Sequence, residues 1–203
     1  MKIVVVDYGM GNIHSIMSTL RHLGVSDVAL SADPEILRQA DKLVLPGVGA
    51  FGKAMKQIRE RDLDRYLHEL SVEGKKPLLG ICLGMQLLGL SSTEHEFNEG
   101  LGFVEGEVIR FDESEVKVPH VGINQVKVNP ACKLYADLSS SPDFYFTHSY
   151  KMTALADINQ SMCAYGDEFI ASFEKNNIAG VQFHPELSQT NGLKLLRNFI
   201  DRF

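Results

Sequence analysis

The 203-residue chain has no Cys-x-x-Cys pair, no run of basic residues and no stretch near the ~20 apolar residues that a membrane-spanning helix needs. Its three cysteines, Cys82, Cys132 and Cys163, are an odd set. That argues against a disulfide framework or a zinc site and suits a reducing compartment. Twenty Lys and Arg stand against 26 Asp and Glu, a net charge of −6, so nucleic acid and anionic membrane are poor partners. The opening Met1-Lys2-Ile3-Val4-Val5-Val6-Asp7 is too short an apolar segment for a signal peptide. Internal repeats, low-complexity tracts and linkers are also missing. These absences leave a soluble, cytoplasmic protein with one domain over residues 1–203, long enough to bury a large core.

What is present begins with alternating strand and helix signals. Ile3–Val6 reads as a strand, followed by a helix capped at Asn12, stopped at Gly24 and carrying Ile13, Ile16, Met17, Leu20 and Leu23 on one face. Val28–Leu30 is a short strand, and Asp33-Pro34 opens the next helix with a cap and an N1 proline. Leu43–Leu45 leads through a glycine loop into a helix expected from about Ala50 to Leu70, and Pro77–Ile81 is a fourth strand. Strands separated by helices imply a mostly parallel sheet flanked by helices, an α/β fold. Past Gly100 come strand candidates between polar turns, at 103–111, 121–128, 144–150, 169–174 and 178–183, before a last helix with Leu193, Leu196, Ile200 and Phe203. Extra antiparallel strands are therefore expected in the C-terminal half.

Cys82 lies in Gly80-Ile81-Cys82-Leu83-Gly84, directly after the fourth strand. A strand that ends in Gly-x-nucleophile-x-Gly and restarts as a helix forces its central residue into a strained, exposed turn. Helix N–H groups and the helix dipole at that point favour thiolate over thiol. His184 ends the apolar strand 178–183, with Glu186 two residues on. At near-extended spacing both project to one side, so Glu186 can hold one imidazole nitrogen while the other faces a thiolate. These three residues are the candidate nucleophile, base and orienting acid. No His-Glu-x-x-His motif accompanies them, so neither metal nor cofactor is expected. Gln86, one turn beyond Cys82 on the same helix face, is placed to hold a substrate.

Gly47-Val48-Gly49-Ala50-Phe51-Gly52 matches the dinucleotide-binding pattern, but it follows the third strand, and the acids that come after it, Asp62 and Asp64, fall inside the expected helix. The better reading is a loop at a strand's carboxyl end that aims backbone N–H groups at an anion beside Cys82.

Three motifs, Pro46-Gly47-Val48-Gly49-Ala50-Phe51, Gly80–Gln86 and Gln182-Phe183-His184-Pro185-Glu186, together resemble class I glutamine amidotransferases, in that family's order and across the whole chain. Further similarity lies in Asp7–Asn12, Pro119-His120-Val121-Gly122-Ile123-Asn124 and Phe146–Tyr150. The resemblance implies a flavodoxin-like amidotransferase fold and hydrolysis of L-glutamine through a cysteinyl thioester. It implies an oxyanion hole from the backbone N–H groups of Leu83 and Val48. Gly47, Gly49, Gln86 and the backbone of His148, Ser149 and Tyr150 would hold the substrate. It also implies a heterodimer with a (β/α)8-barrel cyclase subunit, which uses the ammonia to make imidazole glycerol phosphate and an aminoimidazole carboxamide ribotide in histidine biosynthesis. Asn12, Pro119 and Asn124 would lie near that interface. Where such members often carry tryptophan in the middle motif, this chain has Ile123. The alternatives are a glutaminase subunit of another synthase, such as that for pyridoxal phosphate, a γ-glutamyl hydrolase, or a flavodoxin-like cysteine sensor.

Overall fold

The computed structural model describes all 203 residues. Strands β1 (Lys2–Val6), β2 (Asp27–Ser31), β3 (Lys42–Leu45) and β4 (Leu78–Ile81) alternate with helices α1 (Ile13–His22), α2 (Pro34–Gln39), α3 (Phe51–Arg59) and α4 (Leu63–Leu67). Helix α5 (Leu83–Leu87) follows Cys82 at once. Then come β5 (Ser91–Ser92), β6 (Asn98–Glu99), β7 (Gly106–Arg110), β8 (His120–Lys127), β9 (Asp143–His148), β10 (Tyr150–Ala154), β11 (Ser161–Tyr165), β12 (Asp167–Lys175), β13 (Ile178–Val181) and helix α6 (Gln189–Arg202).

The main sheet has the order β2-β1-β3-β4-β13-β12-β11-β8-β9. Its first five strands are mutually parallel and the rest antiparallel. Along β1, Val4 and Val6 enter one apolar layer while Ile3 and Val5 enter the other, so the sheet is covered on both faces. A second sheet, β10-β7-β5-β6, packs Val108 and Met152 into the same layer as Val4 and Leu43. No helix is long and apolar enough to cross a membrane.

Four local expectations are corrected. The helix over 50–70 is broken: Asp62 takes φ 54°, and a π-helical turn at His68–Glu73 follows α4. An unbroken helix would set Leu63 about 140° around from Ile58, at 100° per residue. The break resets the phase, and Ile58, Leu63 and Leu67 are all buried. The strand at 103–111 shortens to β7, because Phe103 and Val104 both donate backbone N–H bonds to Leu88 O at the end of α5. The strand at 144–150 splits at Ser149: β9 pairs with β8 in the main sheet, β10 with β7 in the small one. Asn12 does not cap α1 with its side chain, whose Nδ2 instead donates to Glu186 Oε1 at 3.3 Å.

In a parallel sheet the carboxyl ends of neighbouring strands open on one edge. Here β3, β4 and β13 are neighbours, so the Gly47–Gly49 loop, Cys82 and His184 emerge side by side. The register sets Ile81 opposite Val181, and Cys82 N–H donates to Val181 O at 2.8 Å.

Candidate active site

Cys82 has φ 54° and ψ −112°, a conformation L-residues rarely adopt. The turn is this tight because backbones meet across it: a Cβ on Gly84 would run into the Leu45 carbonyl, and one on Gly80 would come within 2.7 Å of Gly84 O. The thiol is mostly covered but lines an open cleft. Gln182 Nε2 stands 3.8 Å from its sulfur, and the Thr147 carbonyl 4.0 Å.

Beyond β13 the chain is tied down by its own backbone. His184 N–H donates to Tyr145 O at 2.9 Å, and Ser188 bridges the same segments, its hydroxyl donating to His184 O at 2.6 Å and accepting from Tyr145 N. His184 Nδ1 lies 2.9 Å from Glu186 Oε1, and the glutamate side chain is fully buried. With Asn12 also donating to that oxygen, the carboxylate is held from two sides. His184 Nε2 is buried and has no hydrogen-bond partner. Burial pushes the imidazole pKa down, yet the Cys82 sulfur and the Glu186 carboxylate more than reverse this and raise it to about 10. The arrangement favours a protonated His184 ring, with the buried Glu186 carboxylate on Nδ1.

The glycine loop lies against the elbow. A Cβ on Gly47 would come within 2.7 Å of both Gly84 N and the Tyr8 hydroxyl, so only glycine allows this approach. Tyr8, fully buried, donates its hydroxyl to Pro46 O at 2.6 Å and fixes the start of the loop; burial raises its pKa. Val48 N–H makes no backbone hydrogen bond. Leu83 is the first residue of α5, where an N–H has no intrahelical acceptor. Both residues line the cleft beside Cys82.

The cleft measures about 410 Å³, and its far wall is formed by Gln86 and His148–Tyr150. Gln86 Nε2 donates to Tyr150 O at 3.1 Å and to Gln182 Oε1 at 2.8 Å, leaving its own Oε1 for the cleft. Both ring nitrogens of His148 are engaged within the protein, so this residue offers the cleft its backbone. Of the residues expected at an interface, Pro119 lines the cleft, while Asn12 contacts Glu186 and Asn124 contacts His120. Sequence reasoning missed Glu94 and Arg110, which give the cleft one acid and one base; exposed His95 stands at its rim. Glu94 Oε2 accepts from Phe51 N–H at 2.5 Å, at the start of α3. It sits in a stretch of two-residue strands with no periodicity to read. The roles of Tyr8 and Gln182 were also missed, although both lie within the quoted motifs.

A thiol on a strained strand-to-helix turn, beside a histidine that follows the adjacent parallel strand, is an arrangement suited to nucleophilic catalysis with base assistance. The chain belongs to the class I glutamine amidotransferases, whose family model matches residues 4–203. Among curated proteins it is 44% identical to imidazole glycerol phosphate synthase subunit HisH 2 of Vibrio vulnificus, over 99% of this chain and 94% of that one. It is likewise 44% identical to subunit HisH of Aquifex aeolicus, over 98% and 96%. A solved glutamine amidotransferase shares the fold with a TM-score of 0.75 at 21% identity, covering 98% of this chain and 97% of that one.

Proposed function

We propose that residues 1–203 act as a single amidotransferase domain that hydrolyses L-glutamine and delivers the ammonia to a (β/α)8-barrel cyclase subunit in the cytoplasm. That subunit would form imidazole glycerol phosphate, the product for which the HisH relatives' synthase is named, together with aminoimidazole carboxamide ribotide for histidine biosynthesis. The observation that supports this most is the buried, unpartnered His184 Nε2 in the cleft that Cys82 lines, with Glu186 on the opposite nitrogen.

In this reading the Cys82 sulfur attacks the side-chain amide carbon of glutamine. His184 takes the thiol proton and then gives it to the departing nitrogen, which leaves as ammonia. Glu186 holds the ring by Nδ1 and stabilises its charge. The tetrahedral oxyanion is met by the N–H groups of Leu83 and Val48, and losing one such donor costs about 3 kcal/mol, roughly a hundredfold or more in rate. Water then cleaves the γ-glutamyl thioester with His184 as base, releasing glutamate. Glu94 suits the substrate's α-ammonium, and Gln86 Oε1, Gly47, Gly49 and the backbone of His148–Tyr150 complete the cradle.

Ile123 and Leu187 are both exposed and line one cleft with Tyr145 and Ser188, close in the chain to His184. Such a patch supports the docking of a partner there, in the neighbourhood of Asn12, Pro119 and Asn124. Glutamate release from glutamine, measured for the chain alone, with a cyclase subunit, and with cyclase plus its nucleotide substrate, tests the proposal. The strongest release is expected in the last mixture. No release in any mixture would overturn the glutaminase reading; equal release in all three would overturn the coupling.

A further inference from the structure

The Tyr150 carbonyl can only accept hydrogen bonds, and it accepts two: from Gln86 Nε2 at 3.1 Å and from His148 Nδ1 at 2.7 Å. That fixes every donor and acceptor outward from it. On one arm, His148 Nδ1 carries the proton, so its Nε2 is an acceptor. His120 Nδ1, 2.9 Å away, must then donate. His120 Nε2 is left as an acceptor, and Asn124 Nδ2 supplies its proton at 2.7 Å. On the other arm, Gln86 presents Nε2 to Gln182 Oε1, which turns Gln182 Nε2 toward the Cys82 sulfur. One continuous chain therefore runs from the solvent-facing strand β8 to the back of the nucleophile.

The surroundings favour this single arrangement. His120 stacks on Tyr165 with ring centroids 3.9 Å apart and on Phe146 at 5.0 Å, with Phe111 and Phe169 edge-on. Both histidines are buried, and burial pushes their pKa values down, to about 4 for His120 and about 3 for His148. Both rings are thus neutral near pH 7, as a chain with one proton per link requires. Neither His120 nor Asn124 lines the cleft, so neither contacts a substrate there.

We propose that Asn124 and His120 are positioning residues for the reaction: they lock His148 in its Nδ1–H tautomer and thereby pin the Tyr150 carbonyl on which the cleft wall and the Gln86–Gln182 pair are aligned. The proposal rests on the glutaminase reading for its kinetic consequence, though not for its tautomers. Without the His120 donor, His148 is free to carry its proton on Nε2 and to release Tyr150 O. The substrate cradle then loosens more than the thiol chemistry does.

Imidazole nitrogen NMR of the unaltered chain tests the tautomers directly, with protons expected on Nδ1 of both His120 and His148 at neutral pH. Glutaminase kinetics with a cyclase partner and its nucleotide test the consequence. His120→Phe should raise KM for glutamine roughly five- to tenfold while kcat changes about twofold or less, the loss of about one hydrogen bond. His120→Asn, which keeps an N–H near the Nδ1 position, should recover most of that loss. Asn124→Leu should shift KM in the same direction by a smaller factor, and serves if His120→Phe does not fold. A proton on Nε2 of either ring, an unchanged KM in folded His120→Phe or Asn124→Leu, or a His120→Asn variant no better than His120→Phe would overturn the proposal. Absence of glutaminase activity in the unaltered chain would sink the functional reading instead and leave the NMR result standing.

Discussion

The backbone at Cys82 predicts that this position is kept at a cost in stability. At φ 54° and ψ −112° the residue lies outside even the small left-handed basin, so a side chain with a Cβ carries strain of about 1–3 kcal/mol. Glycine removes that strain but gains about 0.4–1 kcal/mol of unfolded-chain entropy in the unfavourable direction. Comparing Cys82→Gly with Cys82→Ala cancels the lost sulfur contacts, because both variants remove them. The remaining difference favours glycine by about 1 kcal/mol, which for a chain of this length is a melting temperature about 3 °C higher. Thermal unfolding of the two purified variants, neither of which should release glutamate, is the assay. An alanine variant as stable as the glycine variant would refute the claim that the elbow stores strain.

Other consequences follow from the same geometry. Glu186→Gln replaces a charged acceptor by a neutral one of the same shape beside His184; a difference of about 1.4 kcal/mol lowers the His184 pKa, now raised to about 10, by roughly one unit. An NMR titration of His184 reads this, a fall of about tenfold in kcat/KM should accompany it, and an unmoved titration contradicts the assigned role. Tyr8→Phe leaves the buried Pro46 carbonyl without its donor and should lower stability by about 1–3 kcal/mol in urea unfolding, against an unchanged midpoint if that bond is idle. His120 and His148 have folded pKa values below the ordinary 6.5, so on acidification the unfolded chain takes up protons that the folded chain refuses. Stability should fall between pH 6.5 and about 4, by up to about 1.4 kcal/mol per pH unit for each histidine, and His120→Phe should flatten that limb. His184 acts oppositely: its raised pKa contributes stability fully below 6.5 and loses it as pH rises toward 10. An acid limb as steep in His120→Phe as in the unaltered chain would contradict the first assignment.

The parallel half of the fold is legible because each apolar run is short and punctuated by a cap or a glycine, as at Asp33 and Gly24. The second half is less so. Residues 144–150 read as one strand, yet the chain leaves one sheet for another at Ser149, a choice made by the partners β8 and β7. The broken helix before Glu73 follows the same logic, since the burial of Leu63 overrides a good helical pattern. In the site, Cys82, His184 and Glu186 stand at strand ends marked by glycine, proline and an abrupt change from apolar to polar. Glu94 carries no such mark, and Tyr8, His120 and His148, though set beside Gly9, Pro119 and the end of β9, do not announce the partners they bond. Their partners lie far off in sequence, and only the assembled sheet brings His148 to His120, or Pro46 to Tyr8.

The central claim is that Cys82 becomes covalently acylated by glutamine, with ammonia as the first product. Acid-quenched chain, taken during turnover with the cyclase partner and its nucleotide present, should carry a γ-glutamyl group on the peptide that contains Cys82, detected by mass spectrometry and absent from Cys82→Ala. Turnover with no adduct on that peptide, or an adduct that survives in Cys82→Ala, would contradict it.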